Sequence, residues 1–118
     1  MKIRNFRDLK VWQTGMTLAM DIYILTRLFP RNEIYGLISQ MRRAAVSIPS
    51  NIAEGFNRFH NKEYRHFLYM ALGSCAELET QITIAKELKY LSGSKEIILL
   101  EKTDHIGRMI TNLIKKLK

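Results

Sequence analysis

The sequence predicts an all-α protein, an antiparallel up-down-up-down four-helix bundle, and three observations carry that expectation. Leu, Ile, Met, Ala, Lys, Arg and Glu dominate, while only two prolines and six glycines occur, a composition that favours helix over sheet. Apolar residues recur three and four positions apart along four segments, the spacing of a buried helical face. The joints between these segments are short, which makes consecutive helices antiparallel neighbours. At 118 residues the chain matches one domain over 1–118, because two domains would each be too small to bury a core.

The first helix is expected over about 8–29, with Leu9, Trp12, Met16, Ala19 and Tyr23 on one face. A second apolar row, Leu18, Ile22, Leu25 and Phe29, lies about 100° away around the helix. The first row is assigned to the bundle. The second is then left over, and a spare apolar patch marks an interface, so Leu18, Ile22, Leu25 and Phe29 are the expected oligomer contact. Phe29-Pro30-Arg31-Asn32 ends the helix, since proline biases the preceding residue away from helical angles.

The second segment, about 33–58, carries Ile34, Ile38, Met41, Ala45, Ile48, Ile52 and Phe56. This register passes through Pro49 without slipping, which favours a continuous, Pro49-kinked second helix over a loop. Opposite the apolar stripe runs a polar ribbon of Arg43, Ser47, Ser50, Glu54 and Arg58, flanked by Arg42 and Asn51. Its serines and Asn51 are residue types that could bond carbonyls freed by the proline. The ribbon reads first as a structural or interfacial polar seam and second as a ligand-facing surface.

Asn61 is the expected N-cap of a third helix over about 62–91, with the seam Tyr64, Leu68, Ala71, Cys75, Leu78, Ile82 and Ala85. Ser92-Gly93-Ser94 is the expected joint, with Gly93 closing the third helix and a serine capping the fourth. The fourth, about 95–117, carries Leu99, Ile106, Ile110, Leu113 and Leu117, with Lys115, Lys116 and Lys118 suiting its C-terminal dipole. One glycine or more in each segment (Gly15, Gly36, Gly55, Gly73, Gly107) suggests close backbone approach, because each costs about 1 kcal/mol relative to Ala.

Little in the chain supports enzymatic chemistry. Cys75 lies in a core seam, where a thiol acts as a small hydrophobe, and as the lone cysteine it forms no internal disulfide. That usage and the absence of a secretory leader pattern lead to an expected cytoplasmic location. No apolar run is long enough to span a membrane. Glu63-Tyr-Arg-His66 has the Glu-x-x-His spacing of di-metal bundles, but only once, where such a site needs it twice. No metal or other cofactor is expected.

Charge is the functional hint. The net charge is +8, which suits phosphate polymers bound through counterion release. Lys2, Arg4, Arg7 and Lys10, then Arg42, Arg43, Arg58, Lys62 and Arg65, with Phe59 and Tyr64 interleaved, are the expected nucleic-acid-binding residues, because arginine beside aromatics grips phosphate and stacks on bases. No known recognition module is visible, so contact would be to backbone or shape.

Three blocks carry a resemblance over nearly the whole chain: Phe6-Arg-Asp-Leu-Lys-Val-Trp12, Ser47-Ile-Pro-Ser-Asn-Ile-Ala-Glu-Gly55 and Leu72-Gly-Ser-Cys-Ala-Glu-Leu-Glu-Thr-Gln81. They resemble the four-helix-bundle family encoded within intervening sequences of bacterial 23S rRNA genes. The signature falls on Trp12, Ser47, Pro49, Asn51, Glu54, Gly55, Gly73, Glu77 and Gln81. The resemblance implies a small bacterial bundle that assembles into a homopentamer, with a basic surface for structured RNA or DNA and no catalytic residues. The family is also similar in fold to the accessory variability protein of diversity-generating retroelements, which implies an alternative role as a protein-interaction scaffold or accessory subunit, for example of a reverse transcriptase.

Overall fold

A computed structural model describes residues 3–117, and these form four α-helices: α1 (Lys10–Thr26), α2 (Leu37–Phe56), α3 (Asn61–Glu87) and α4 (Gly93–Lys116). Single 3-10 turns at Phe6–Asp8 and Arg31–Glu33 precede α1 and α2. Cross-helix contacts set the direction of each neighbour. Gly15 lies beside Pro49, whereas Arg42 reaches Thr26, so α1 and α2 run antiparallel. Ser47 bonds Ser74 and Gly55 meets Tyr64 and Phe67, so α2 and α3 do too. Leu72 faces Gly107 and Arg65 reaches Leu117, which makes α3 and α4 the third antiparallel pair. Packing is most extensive between α2 and α3 and sparsest between α1 and α4.

All four helices supply one apolar core. Its phase runs through Pro49 as the sequence predicts: Ile38, Met41, Ala45, Ile48 and Ile52 are buried on both sides of it, and the helix continues across; Ile34, the first residue of the expected row, lies before α2 and is exposed. Removing the N–H at position 49 deletes one backbone bond, but the side chains on either side remain packed in one register.

On α1 the row expected at an oligomer contact lies in the core, together with part of the row assigned to the bundle: Ala19 is buried, and Leu9 and Trp12 are partly buried against the core. Leu18, Ile22, Leu25 and Phe29 are 1%, 0%, 8% and 3% exposed and belong to the core. They are therefore not available as an oligomer contact. Met16 and Tyr23, from the row assigned to the bundle, are exposed together with Met20, Ile24 and Leu28. Both rows have helical spacing, and residue type does not separate them either, since Ile24 and Leu28 are exposed beside Met16, Met20 and Tyr23.

The helix ends differ from expectation in their chemistry. α2 has no side-chain cap at Gly36; instead the Glu33 carboxylate accepts from the Leu37 N–H at 3.1 Å and from the Tyr90 hydroxyl at 2.8 Å. This clasp ties the α1–α2 joint to the end of α3. The third helix closes at Lys89, whose φ of 67° lets Tyr90 N–H reach the Ala85 carbonyl and Lys89 N–H reach that of Lys86, a Schellman ending without its usual glycine. Gly93 instead opens α4, and Ser92 caps it by accepting from Lys95 N–H. His60, not Asn61, occupies the N-cap position of α3.

The glycines divide by what surrounds them. A Cβ built on Gly55 would lie 2.9 Å from Phe67 Cβ and 3.1 Å from the Tyr64 carbonyl oxygen, so α2 and α3 approach there only because the side chain is absent. At Gly73 nothing lies within 4 Å, contrary to the close approach expected. Gly15, Pro49, Gly73 and Gly107 nevertheless share one level: Gly15 touches Pro49, Gly107 touches Leu72, and Ser47 and Ser74 join α2 to α3 between them.

Two predictions follow from this packing. Gly55→Ala destabilises the fold by about 1–3 kcal/mol through overpacking, whereas Gly73→Ala stabilises it by up to about 1 kcal/mol through helix propensity; urea titrations of both variants measure the contrast. The second concerns the clasp. The hydrogen bonds from Leu37 N–H and the Tyr90 hydroxyl hold the Glu33 carboxyl below its ordinary value of 4.5, against a smaller opposing effect of desolvation. A depressed carboxyl contributes stability above its unfolded value and loses it as pH falls through the folded one. The difference in melting temperature between the natural chain and Glu33→Gln therefore narrows as the pH is taken from neutrality to below 4.5.

Candidate nucleic-acid interface

Antiparallel topology gathers charge that is dispersed along the chain. The start of α1, the α2–α3 joint and the end of α4 all lie at one end of the rod, whose extents are 44 × 25 × 20 Å. Residues 3–10, 54–66 and 111–117 place eight lysines and arginines there against three carboxylates, Asp8, Glu54 and Glu63. The opposite end, residues 27–37 and 84–98, carries five against three. The basic end unites Arg4, Arg7, Lys10, Arg58, Lys62 and Arg65 from the expected set. Lys2 lies outside the described residues. Lys115 and Lys116, read from sequence only as dipole partners, join the cluster because α4 ends beside the start of α3.

Several of these cations already have intramolecular roles. Arg7 lies over the Phe6 ring at 4.9 Å and the Trp12 ring at 5.9 Å, which pins the N-terminal turn to α1. Arg58 pairs with Glu54 at 3.1 Å and lies 4.7 Å from the Phe67 ring centroid. Arg65 donates to the Leu117 carbonyl at the end of α4. Arg4, Lys10, Lys62, Lys115 and Lys116 are exposed, with long side chains projecting from helix ends or the leading segment.

Arg42 and Arg43 are set apart from this end. Arg43 lies thirteen residues before Phe56, the last residue of α2, a separation of about 20 Å at 1.5 Å per residue. Arg42 Nε donates to Thr26 Oγ1 at 2.9 Å, its terminal nitrogen reaches the Tyr23 carbonyl at 3.4 Å, and its guanidinium lies 4.7 Å from the Tyr23 ring centroid. It closes the C-terminal turn of α1. Arg43 is exposed beside a shallow hollow lined by Tyr23, Ser39, Val46 and Ser47.

The interleaved aromatics also separate. Tyr64 is buried, packs edge-on against Phe56, and its hydroxyl is pushed up to about 12 by desolvation, so it presents no stacking face. Phe59 is 99% exposed.

The polar ribbon of α2 divides: Ser47 and the flanking Asn51 turn toward α3, while Arg43, Ser50, Glu54 and Arg58 are exposed. Asn51 Nδ2 donates to the Ser47 carbonyl and hydroxyl at 2.9 and 3.0 Å, Ser74 Oγ bonds Ser47 Oγ at 2.9 Å, and Ser74 also reaches the Met70 carbonyl. This chain sews α2 to α3. Its bonds run to Ser47 and Ser74 rather than to the Ala45 carbonyl that Pro49 frees, so the expected repair of the proline is not what these side chains do. Ser50 and Glu54 face outward, as do Gly73 and Glu77 on α3, while Gln81 is half-buried with its Oε1 enclosed and unpartnered.

Cys75 is buried, and desolvation, then the nearby Glu79 charge, push its thiol up to about 12; at neutral pH it is not a thiolate nucleophile. Among the described residues, no group of three His, Cys, Asp or Glu side chains is placed to hold a metal ion, and no helix is long and apolar enough to cross a membrane.

Comparison with known proteins agrees with this architecture. A crystal structure of a protein of unknown function from the S23 ribosomal protein family of Bacteroides thetaiotaomicron VPI-5482 superposes with a TM-score of 0.78, at 20% identity, over 89% of this chain and 98% of that one; at that identity the likeness shows the fold. No curated protein matches the sequence. The family model described as 23S rRNA-intervening sequence protein matches residues 7–112, which takes in the signature blocks but for Phe6 and every helix but the last turn of α4. The chain belongs to the 23S rRNA-intervening sequence protein family.

Proposed function

We propose that this protein is a non-enzymatic, basic homo-oligomer that binds structured RNA or DNA through the end of the bundle where α1 and α3 begin and α2 and α4 finish. The observation that supports the reading most is the convergence of eight cations from three separated stretches on that end. A charged end of this kind attracts a polyanion and releases its counterions without reading base sequence. The family's link to rRNA genes makes RNA the first polymer to try, and a cytoplasmic setting is consistent with such a partner.

Self-association, to a homopentamer in the reading suggested by the family resemblance, is supported by the apolar surface left outside the core. Met20 and Ile24 project from α1 and Leu28 from the turn that follows it, where it is 80% exposed. Lys102 of α4 bonds Asp21 of α1 at 2.7 Å, which brings the exposed Ile98, one turn along α4, to the level of Ile24. An apolar strip across the most sparsely packed helix pair is suited to burial by another chain. The same strip supports the second reading, a scaffold or accessory subunit for a protein partner such as a reverse transcriptase.

Three outcomes are expected. Affinity for a structured RNA falls steeply with salt, and Lys62→Ala or Lys115→Ala reduces the log–log salt slope by about 1 each; affinity independent of salt overturns the reading. Arg42→Ala costs about 1–2 kcal/mol of stability in chemical denaturation, through lost hydrogen bonds and ring contact, and leaves the salt slope unchanged. Light scattering gives a mass several times that of one chain, reduced by Leu28→Asp; a monomeric mass for the natural chain overturns self-association.

A further inference from the structure

We propose that Phe59 is a stacking platform for an unpaired base, so that the basic end takes a strand with an exposed base, such as a hairpin loop or a single-stranded junction, in preference to an uninterrupted duplex. This rests on the nucleic-acid reading above and narrows its substrate class.

The inference starts from the α2–α3 joint, residues 57–60. Its neighbouring aromatics are turned inward: Phe56 meets buried Tyr64 edge-on at 6.1 Å, and Phe67 packs under Arg58. Phe59 alone in this group is 99% exposed, and its nearest aromatic neighbour is His60, with ring centroids 6.3 Å apart. The bundle closes without it, so the core does not account for the ring.

The charged surroundings identify what would cover it. Arg58 precedes the ring and His60 and Lys62 follow it, all exposed. The nearby carboxylates are Glu54, already paired with Arg58, and Glu63 in the first turn of α3. A flat apolar ring among cations fits a polyanion that itself carries flat rings, with phosphates at the cations and a base on the ring face. A duplex keeps its base faces stacked on one another, so only an unpaired base has a face to offer. An anionic lipid surface shares part of this chemistry, but interfacial anchoring uses a broad apolar helix face. The residues around Phe59 are Asn57, Arg58, His60 and Asn61.

The test uses the full chain and fluorescence anisotropy with three labelled probes: an RNA hairpin with an unpaired loop, a DNA hairpin of the same sequence, and a blunt duplex with equal phosphate number. Phe59→Ala is expected to weaken hairpin binding by roughly tenfold or more and to leave duplex binding and the melting temperature unchanged. Phe59→Tyr is expected to keep hairpin affinity, and Lys62→Ala to weaken all probes alike. The RNA and DNA hairpins distinguish the two kinds of strand. If Phe59→Ala binds hairpins like the natural chain while Lys62→Ala weakens them, stacking is overturned and the basic-end reading survives. If the natural chain binds no probe, both fall. If Phe59→Ala instead loses only binding to vesicles of phosphatidylserine and phosphatidylcholine, the ring serves a lipid surface and the proposal is overturned.

Discussion

The contact on which the bundle depends is the approach of α2 to α3 at Gly55. The backbone of α2 comes so near Tyr64 and Phe67 that a methyl group would have no place. That approach brings the end of α2 into contact with the first turns of α3. The joint that follows is consequently four residues long, with too little slack to fold Phe59 back into the core. From the same crossing the two helices run side by side to the Ser47–Ser74 bond. α1 packs on the other flank of α2 through Gly15 and Pro49, and α4 packs on α3. α2 and α3 are thus the spine, and the sparse α1–α4 seam is where the ring of helices closes.

The part of the structure legible in the sequence was the part governed by periodicity. Ile48 and Ile52 stay in phase with Met41 across Pro49, and a continuous helix is the arrangement that buries all three. The α3 seam from Tyr64 to Ala85 is buried as its spacing requires. Periodicity fails where a helix has two apolar rows, because spacing shows that each is a face and not which face turns inward. On α1 residue type does not decide either: Leu18, Ile22 and Leu25 are buried, yet Ile24 and Leu28 are exposed beside Met16, Met20 and Tyr23.

The candidate site was legible in composition and not in arrangement. Arg42 and Arg43 are as basic as Arg58 and Lys62, yet one side chain is spent on the Tyr23 carbonyl and Thr26, residues sixteen or more positions away. No local pattern reports a hydrogen bond across helices. Conversely, the grouping of Lys115 and Lys116 with Arg4 and Lys62 follows from topology alone once the helices alternate in direction. Tyr64 and Phe59 differ by five positions and lie on opposite sides of a helix start, which separates a buried ring from an exposed one.

Gly15, Pro49, Gly73 and Gly107 occupy one cross-section of the rod, one from each helix. Glycine lowers helix propensity and proline removes a backbone bond, so all four helices have a weak point at the same height. Local preference therefore does not hold the helices at this height; packing does, together with the Ser47–Ser74 bond between α2 and α3. The middle of the rod takes its helicity from its neighbours, whereas its two ends are closed by side-chain bonds of their own, Glu33 with Tyr90 at one and Arg65 with the Leu117 carbonyl at the other.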